Sequence, residues 1–327
     1  MTLLRPLDGR RVVVLGASGF IGRWVARAMH QAGAQVWLAA RDRAAAERVA
    51  AGYAIDGIIA EVDVTREGDL PTLLRDARPH LTCNLAGYGV DRRESDPQLA
   101  TAINLDLVSR LMALVPAHAD MSWPGPSLLH AGSALEYGVV GGHLPEDGPT
   151  DATTVYGQTK LAATRVIEAA VAAGTVRAVT ARLFTVYGPG EHDGRLLPSI
   201  LQARTSTAPI PMTHGYQRRD FTYVGDVAEG FVRAVARSLP AGPTVNLATG
   251  RLHSVREFVA LAESALGMEP GRFQFGALPT RPDDMAHDEV AVGRVRQWLG
   301  WAPGIGIADG VRATDAFLRT LPEPSTP

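Results

Sequence analysis

The fold is decided by the segment "RVVVLGASGFIGRWVARAMHQAG", residues 11–33. Its first part, 11–16, is a short apolar run that ends at a glycine, as a buried strand does. The part from 20 to 33 has apolar residues at helical spacing and ends at a glycine, which favours a helix C-terminus. The segment therefore predicts a strand, a tight loop and a helix.

The loop contains Gly16, Gly19 and Gly22 in a G-x-x-G-x-x-G pattern. Glycine permits the tight turn and lets the backbone approach a pyrophosphate, and the helix N-terminus supplies unpaired N–H groups. Glycines could also serve capping or packing alone, but here a strand precedes the pattern and a helix follows it, as the motif requires. We therefore predict a dinucleotide site that consists of Gly16, Ser18, Gly19, Phe20, Ile21 and Gly22.

The rest of the first half alternates strand-like and helix-like segments. The strand-like segments are 34–40, 57–64, 81–87, 126–133 and 176–184, and the helical ones are 42–52, 70–77, 98–114 and 155–173. Strands separated by helices imply right-handed βαβ units and a parallel sheet. We predict an α/β fold with a doubly wound parallel-sheet Rossmann domain and a smaller C-terminal lobe.

After Tyr187 the rhythm changes, because glycine and proline become frequent and the segments shorten. A helix at 223–236 and a strand at 243–249 are expected to return to the main sheet. We therefore predict that the Rossmann domain comprises 1–186 plus about 221–250, and the smaller lobe about 187–220 and 251–327.

Composition excludes several other classes of protein. The 327 residues are 46% hydrophobic, enough for a buried core, and the net charge of −2 gives no field that would recruit nucleic acid or a membrane surface. The single cysteine, Cys83, rules out a disulfide within the chain and argues against a cysteine-based metal cluster, so we expect no metal. Since no apolar run approaches the roughly 20 residues of a membrane span, we expect a soluble cytoplasmic protein.

The end of the second strand, "WLAARDR", bears on the choice of dinucleotide. NAD-binding folds place an acidic residue there, about 20 residues past the glycines, to bind the ribose 2′-OH. Ala40 occupies that position, and Arg41 and Arg43 could pair with a 2′-phosphate. The pattern favours NADPH/NADP+. Two alternatives stay open: a register slip of one residue would put Asp42 on the ribose of NAD, and both arginines could be merely solvated.

Ser133, Tyr156 and Lys160 are the candidate catalytic residues. Ser133 lies at the carboxyl end of the fifth strand, and Tyr156 and Lys160 share one face at the start of the next helix. Ligands of such sheets bind at that edge. Hydride transfer to a carbonyl leaves an alkoxide that needs a proton, and Tyr156 could supply it if the charge of Lys160 lowers its pKa from about 10. Ser133 would donate a hydrogen bond to the same oxygen.

A set of motifs spans nearly the whole chain: "GASGFIG" (16–22), "DVT" (63–65), "NLAG" (84–87), "GSALEYG" (132–138), "YGQTK" (156–160), "RLFTVYGPG" (182–190), "QRRDFTYVGDVAEG" (217–230) and "RPDD" (281–284). In this ordered set the chain resembles the extended short-chain dehydrogenases/reductases, of the NAD(P)-dependent epimerase/dehydratase family that acts on nucleotide sugars. The resemblance implies that Ser133, Tyr156 and Lys160 form the catalytic triad. It also implies cofactor contacts by Asp63, Val64, Leu85, Ala86 and Gly87, together with Tyr156 and Lys160.

Four further residues have both a functional and a structural interpretation. Asp63 could contact the adenine or simply cap a helix. Asn104 falls near a helix asparagine that some family members use structurally. Asp226 fits a helix cap or local anchor better than a ligand, and His192 could contact substrate or lie exposed in its loop.

The resemblance puts the diphosphate and base of the substrate in the small lobe. Arg219 and Arg281 would neutralise phosphate as planar donors, while Arg195 is a candidate that could instead be a solvated helix residue. Thr185 stands where family members often carry an asparagine near the diphosphate, and it can donate only one hydrogen bond. We expect these four residues to bind a nucleotide-diphosphate sugar.

Three family chemistries compete. A 4,6-dehydratase would carry Asp-Glu where this chain has Ala134 and Leu135, which cannot transfer protons. Cys83 lies within a strand, which disfavours the enzymes that both epimerise and reduce. The remaining choices are C4 epimerisation with retained NAD and C4 keto reduction with exchanging NADPH, and the Ala40–Arg41 strand end favours reduction.

The sequence thus predicts NADPH-dependent reduction of the C4 keto group of a nucleotide-diphospho-4-keto-6-deoxyhexose, a step of deoxysugar biosynthesis. The alternative is an NAD-dependent 4-epimerase, and a non-catalytic NADP-sensing regulator is a third interpretation. Family members usually dimerise through helices corresponding to 98–114 and 155–173, so we expect a homodimer. The second of these helices carries an apolar stripe, which supports a dimer, although a face buried within one monomer would look the same. The stripe consists of Leu161, Val166, Ile167, Ala170 and Val171.

Overall fold

The structure is a computed structural model that describes residues 6–91, 93–120, 122–138, 142–204, 208–236, 244–279 and 288–321. Its main sheet is built from β1 (Arg11–Leu15), β2 (Gln35–Ala40), β3 (Gly57–Glu61), β4 (Leu81–Asn84), β5 (Leu128–Ser133), β7 (Ala178–Leu183) and β11 (Thr244–Leu247). The seven strands are parallel and lie in the order β11-β7-β5-β4-β1-β2-β3. The predicted doubly wound parallel sheet is confirmed, and its strand order reverses between β1 and β4.

Helices cover both faces of this sheet. They are α1 (Phe20–Gln31), α2 (Arg43–Gly52), α3 (Asp69–Ala77), α4 (Pro97–Thr101), α5 (Leu107–His118), α6 (Val155–Ala172), α7 (Leu196–Ala203), α8 (Val224–Ala236), α9 (Val255–Leu266), α10 (Gly293–Leu299) and α11 (Ile307–Leu318). Val12 and Val14 of β1 belong to the core that includes α1 and α8, while Val13 and Leu15 belong to the core formed with α3, α5 and α6. Burial on both faces explains why β1 is a continuous apolar run.

The other strands form three small sheets. They are β6 (His143–Leu144) with β14 (Glu289–Val290), β9 (Ile210–Met212) with β13 (Phe273–Phe275), and β8 (Thr185–Tyr187) with β10 (Arg218–Tyr223) and β12 (Leu252–Ser254). β8 begins two residues after β7 ends, so the chain passes at Phe184 from the main sheet into a small one. The small sheet that contains β8 therefore starts from the carboxyl edge of the main sheet, where ligands of this fold bind.

Two elements of the second half return to the main sheet, as expected from the sequence. α8 packs on α1, and β11 pairs in parallel with β7. One hydrophobic core nevertheless joins both halves of the chain, since it includes Val12 of β1 and Val311 of α11. The proposed division into a Rossmann domain and a lobe thus remains a prediction.

The helix predicted at 98–114 is longer and less regular in the structure. α4 and α5 are joined by a π-helical segment, Ala102–Asp106, so the helical stretch runs over Pro97–His118. This stretch could cross a membrane by length and composition alone, a weak indication that core helices of soluble proteins also give. Its apolar side packs in the core on one face of the sheet through Leu107, Val108, Leu111 and Val115.

Candidate active site

The glycine loop after β1 has a backbone that only glycine fits. Gly16 has a φ of +75°, and a Cβ there would lie 2.9 Å from the backbone nitrogen of Ala86. A Cβ on Gly22 would lie 2.0 Å from the carbonyl oxygen of Gly16. Among the described residues, no side chain caps the first turn of α1, so its N–H groups are available to a pyrophosphate. The loop therefore fits a dinucleotide. The other predicted contacts, Ser18, Gly19, Phe20 and Ile21, lie in the same loop and first turn of α1.

Arg23 braces this loop, although we did not select it from the sequence. Its Nε donates to the carbonyl oxygen of Gly19 at 3.0 Å, and its Nη2 donates to that of Ser18 at 2.6 Å. Since these carbonyls are held by the guanidinium, the loop keeps a fixed orientation. The signal in the sequence was an arginine directly after the last glycine of the pattern.

The acidic residue that follows β2, Asp42, caps a helix. Ala40 is buried, and Arg41 follows it on the surface. The Asp42 carboxylate accepts a hydrogen bond from the backbone nitrogen of Ala45 at 3.0 Å and caps α2. Because the side chain of Asp42 is exposed and only one of its oxygens is used, the Asp42 alternative stays open. Arg43 forms an exposed ion pair with Glu47 at 3.0 Å, which leaves Arg41 as the better candidate for a phosphate.

Asp63 follows β3 and shapes its own turn. Its Oδ1 accepts hydrogen bonds from the backbone nitrogen of Thr65 at 3.0 Å and the Thr65 hydroxyl at 2.6 Å, and these bonds hold its pKa below the usual value. The charge of Arg41 acts in the same direction, so the two candidates lie in electrostatic reach of each other. The carbonyl oxygen of Val64 accepts from Arg110 Nη1 at 2.6 Å. Asp63 thus closes its own turn and does not cap a helix, since the next helix, α3, has Gly68 at its N-cap.

The segment after β4 contains Leu85, Ala86 and Gly87, and it lies beside the glycine loop. The side chain of Asn104 holds the residues that follow. It accepts from the backbone nitrogen of Tyr88 at 3.0 Å and donates to the Tyr88 carbonyl at 2.8 Å and to the Thr159 hydroxyl at 3.0 Å. Asn104 therefore has the structural role, since it ties this segment to the start of α6.

Ser133 and Tyr156 come together at the end of β5. The Ser133 hydroxyl accepts a hydrogen bond from the backbone nitrogen of Leu135 at 3.2 Å, which fixes the serine at the strand end. Burial raises the pKa of Tyr156 above its ordinary value, and hydrogen bonding with Ser133 opposes part of the rise. The lowered tyrosine pKa that the chemistry calls for is therefore not present in this structure, because desolvation dominates.

Lys160 is almost completely buried, with 2% of its surface exposed. Burial lowers its pKa to about 8, although the negative charge of Glu136 acts in the opposite direction. Its Nζ lies 3.4 Å from Nε2 of His130, a fully buried histidine of β5 that we did not select from the sequence.

A second set that the sequence analysis missed lies directly behind the triad. Glu136 is fully buried and accepts from Arg182 Nε at 2.8 Å, from Thr164 Oγ1 at 3.1 Å and from the backbone nitrogen of Ser133 at 2.8 Å. Ser133 and Glu136 form a capping box, so the S-x-x-E pattern was a readable signal. This ion pair fixes the position of Ser133.

Charged groups from two loops surround Tyr156. The charge of Arg195 lowers the pKa of Tyr156 and that of Glu94 raises it, so both lie in electrostatic reach of the phenol. Gly89 packs on the ring, since a Cβ there would lie 3.4 Å from its Cδ2. Arg195 thus reaches the site, whereas His192 of the same loop is exposed.

Glu191 is a further residue of this loop that sequence reasoning missed. Only 6% of its side chain is exposed, and its Oε1 lies 3.7 Å from Nε of Arg195. Burial raises the pKa of this carboxyl to about 7. Nothing in the sequence distinguishes it from the solvated acids of other loops.

The small sheets hold the remaining candidates. Thr185 opens β8 and is half-buried, and Arg219 lies on β10 opposite His253. Asp226 accepts hydrogen bonds from the backbone nitrogens of Gly304 and Ile305 at 2.8 Å, so it is the local anchor that we expected. Arg281 lies outside the described residues. Thr185 and Arg219 belong to paired strands of one sheet, whereas Arg195 reaches the triad from another loop.

A parallel sheet with a glycine loop at its strand ends and a Ser-Tyr-Lys set beside it defines a dinucleotide-dependent oxidoreductase of the short-chain type. The profile of the NAD dependent epimerase/dehydratase family matches residues 12–248, and the chain belongs to this family.

Two relatives that match over nearly the whole chain have different activities. The chain is 30% identical over 324 residues to dTDP-6-deoxy-L-talose 4-dehydrogenase (NAD(P)(+)) of Kitasatospora kifunensis, which covers 95% of this chain and 96% of the relative. It is 28% identical over 338 residues to UDP-glucose 4-epimerase of Azospirillum brasilense, which covers 95% and 92%.

Solved structures share the whole fold. A mutant UDP-glucuronic acid 4-epimerase of Bacillus cereus, in complex with a fluorinated UDP-sugar and NAD, matches with a TM-score of 0.82 at 21% identity, covering 94% of this chain and 99% of that one. MoeE5, in complex with UDP-glucose and NAD, matches with a TM-score of 0.79 at 25% identity, covering 95% and 99%.

Proposed function

We propose that this protein reduces the C4 keto group of a nucleotide-diphospho-4-keto-6-deoxyhexose with NADPH. The observation that carries the proposal is the carboxyl end of β2, where Ala40 is buried, Asp42 is used as a helix cap and Arg41 is exposed. A 2′-phosphate would find the guanidinium of Arg41 there, whereas the one nearby carboxylate for a ribose 2′-OH, that of Asp42, already accepts a helix-capping bond. A dinucleotide that exchanges at each turnover suits a reductase better than an epimerase.

The relative from Kitasatospora supports the same reaction. That enzyme is named for dehydrogenation at C4 of a dTDP-6-deoxysugar with NAD(P)+, and the reverse of that step is the reduction of a 4-keto sugar. Dehydration is disfavoured by Ala134 and Leu135, which carry no proton-transferring group. Cys83 is buried within β4 and burial raises the pKa of its thiol, so it is not a base at the sugar.

The residues of the site have distinct roles in this reaction. NADPH, when bound along the glycine loop, supplies the hydride. Tyr156 gives its phenolic proton to the oxygen of the reduced carbonyl, and Ser133 donates a hydrogen bond to that oxygen. Lys160 as an ammonium stabilises the phenolate that remains. Arg195, Arg219, Arg281 and Thr185 would bind the diphosphate and base of the sugar nucleotide.

The proposal is tested by cofactor oxidation with a panel of nucleotide-diphospho-4-keto-6-deoxysugars. We expect stoichiometric oxidation of NADPH, with NADPH preferred over NADH, and a 4-hydroxy sugar as product. The proposal fails if the purified protein retains stoichiometric NAD+ and interconverts two 4-hydroxy sugars without net oxidation of NADPH.

That outcome would establish the second candidate function, an NAD-dependent 4-epimerase. The full-length similarity to the UDP-glucose 4-epimerase of Azospirillum favours it. Both functions need the same triad, so the fate of the dinucleotide separates them.

A non-catalytic sensor of NADP is a third interpretation, and Tyr156→Phe separates it from an enzyme. We expect this variant to lose turnover by about 100-fold or more, the contribution of a general acid, while its dinucleotide affinity stays within about twofold. The matched control is Tyr216→Phe, because Tyr216 is an exposed tyrosine. Unchanged biological function of Tyr156→Phe would support the sensor.

We also propose that the protein is a homodimer through the outer faces of α5 and α6. The apolar stripe of α6 does not carry this proposal, since Leu161, Ile167 and Val171 are buried within the monomer. The support is Val155, of which 46% is exposed at the start of α6, together with the dimerisation that the family resemblance implies.

A further inference from the structure

Lys160 is the single lysine in the 327 residues, and it ends a buried chain of hydrogen bonds. The backbone nitrogen of Ala86 donates to Oδ1 of Asn84 at 3.2 Å. Nδ2 of Asn84 lies 3.2 Å from Nδ1 of His130, and Nε2 of His130 lies 3.4 Å from Nζ of Lys160. Asn84 and His130 are both fully buried, so their polar atoms are out of contact with bulk solvent.

The direction of this chain follows from donor and acceptor chemistry. A backbone N–H can only donate, so the Asn84 atom that faces Ala86 is its oxygen, and its amide nitrogen faces His130. That nitrogen can only donate, so Nδ1 of His130 is the acceptor and the ring proton is on Nε2. Nε2–H then donates to Lys160, which can accept only as a neutral amine.

An ammonium at Lys160 requires the opposite direction. Nε2 of His130 must then accept, the ring proton moves to Nδ1, and the Asn84 amide must turn its oxygen toward the ring. The turned amide places its NH2 against the N–H of Ala86, and the hydrogen bond to Ala86 is lost. The charged state of Lys160 is therefore disfavoured by one hydrogen bond in a buried site.

The other charged groups around Lys160 do not replace this chain. Glu136, on the turn after β5, favours the ammonium, but its carboxylate is already bonded to Arg182 and Thr164. Tyr156 is on α6 itself, one helical turn before Lys160. His130 stays uncharged, because burial and the nearby Lys160 lower its pKa well below the ordinary value.

We propose that Asn84 and His130 are positioning residues that set the charge of Lys160 by the direction of this hydrogen-bond chain. The amide orientation, the histidine tautomer and the charge of the amine change together, as one two-state element. The neutral state of Lys160 is the one that the described contacts satisfy, and protonation reverses the chain.

The consequence for turnover rests on the proposed function, in which Tyr156 is the proton donor. When Tyr156 has given its proton to the substrate oxygen, the phenolate needs the ammonium of Lys160. Turnover should therefore fall as pH rises through the value of about 8 to which the Lys160 pKa is lowered, instead of near the ordinary value of 10.5. A chain direction that favours the ammonium would move this loss to higher pH.

The test measures the free protein and needs no turnover. Because the chain has one lysine, protein made with ¹³C-lysine and carrying a lysine-free tag gives one side-chain NMR signal, which reports the charge of Lys160. Its titration is compared with the ¹⁵N shifts of His130, which distinguish the two tautomers. We expect the ring proton of His130 to move from Nδ1 to Nε2 as Lys160 loses its proton near pH 8.

Two variants reverse the chain. In Asn84→Asp, both carboxylate oxygens accept, so His130 must donate through Nδ1 and Nε2 accepts from Lys160. In His130→Gln, the side-chain oxygen can accept from the ammonium. We expect both variants to raise the Lys160 midpoint by about one pH unit or more, the size of one hydrogen bond to a charged group. The control is Cys83→Ala, which removes buried volume beside Asn84 on the same strand and should leave the midpoint unchanged.

The proposal is overturned if His130 keeps one tautomer throughout the titration, or if both folded variants titrate Lys160 at the wild-type midpoint. The tautomer measurement uses the wild-type protein, so it decides even if a variant does not fold. Failure of the reductase assignment would leave these results intact, since no substrate or dinucleotide is present.

Discussion

In the proposed function, the choice of dinucleotide depends on Arg41. Arg41 is exposed directly after β2, and the residue before it, Ala40, has no carboxylate. We expect Arg41→Ala to reduce the preference for NADPH over NADH by about 10- to 100-fold, the value of charge-assisted hydrogen bonds to one phosphate. The measurement is kcat/KM for both dinucleotides.

Arg43→Ala is the matched control, because it removes the same charge from an arginine that already pairs with Glu47. We expect it to change the preference by less than about threefold. Equal effects of the two variants would show that only net charge matters and that Arg41 has no specific phosphate contact.

Glu191 makes the stability of the protein depend on pH. Burial raises the pKa of its carboxyl to about 7 from 4.5, so its contribution to the free energy of unfolding is complete below pH 4.5 and is lost as pH rises through about 7. The loss is about 3 kcal/mol, at about 1.4 kcal/mol for each pKa unit. Glu191→Gln stays neutral, so we expect its denaturant unfolding to lose about 3 kcal/mol less than wild type between pH 5 and pH 8.5.

Burial also raises the pKa of Glu146, Asp220, Asp226 and Glu263, so the difference between variant and wild type is the informative quantity. Identical pH dependence of the two proteins would mean that the Glu191 carboxylate is solvated or paired in solution.

Single residues also mark where the sequence was ambiguous. Asp42 and Asp63 could each bind a ligand or cap a turn, and their type and position fit both roles. The structure shows hydrogen bonds from Ala45 and Thr65 to these carboxylates, which depend on turn geometry that the sequence does not specify. Glu136 was readable as part of a capping box, but its partner Arg182 was not, since 46 residues separate them.

At the scale of elements, the buried pair of Glu136 and Arg182 joins the turn after β5 to β7. The carboxylate also accepts from Thr164 of α6, so one charged group joins the turn after β5, β7 and α6 beside the candidate triad. We expect Glu136→Gln to lower the free energy of unfolding by about 3–5 kcal/mol, because it leaves the Arg182 charge buried without its partner. Urea denaturation followed by circular dichroism measures the change.

Thr164→Val is the comparison, since it removes one hydrogen bond from the same carboxylate and should cost about 1 kcal/mol. If Glu136→Gln costs no more than Thr164→Val, the ion pair is not a stabilising link between these elements.

The elements themselves were predictable because their patterns are strong. β1 is apolar throughout and stops at a glycine, and α1 has helical spacing up to Gly33. The π-helical segment Ala102–Asp106 was not predicted from the sequence. Its effect is local, because Asn104 in this segment reaches Tyr88 and Thr159.

At the scale of the whole molecule, the order of strands and helices in the sequence predicted the topology of the main sheet. It did not predict the small sheets. Strands of two or three residues, such as β6 and β8, are too short to show a period. The candidate substrate residues depend on these strands, which explains why the triad was easier to locate than the sugar nucleotide.

The oligomeric state is the last property at this scale, and the outer faces of α5 and α6 decide it. Ala113 and Ala169 are exposed on these helices, whereas Ala44 is exposed on α2, away from them. We expect sedimentation velocity to give a dimer for wild type and for Ala44→Arg, and a monomer for the double variant Ala113→Arg/Ala169→Arg. In a C2 dimer each substitution appears twice at one interface, so four like charges would meet there. A wild-type monomer, or a dimer that tolerates the double variant, would exclude this interface; in either case the triad lies within one chain, so turnover per subunit should be retained.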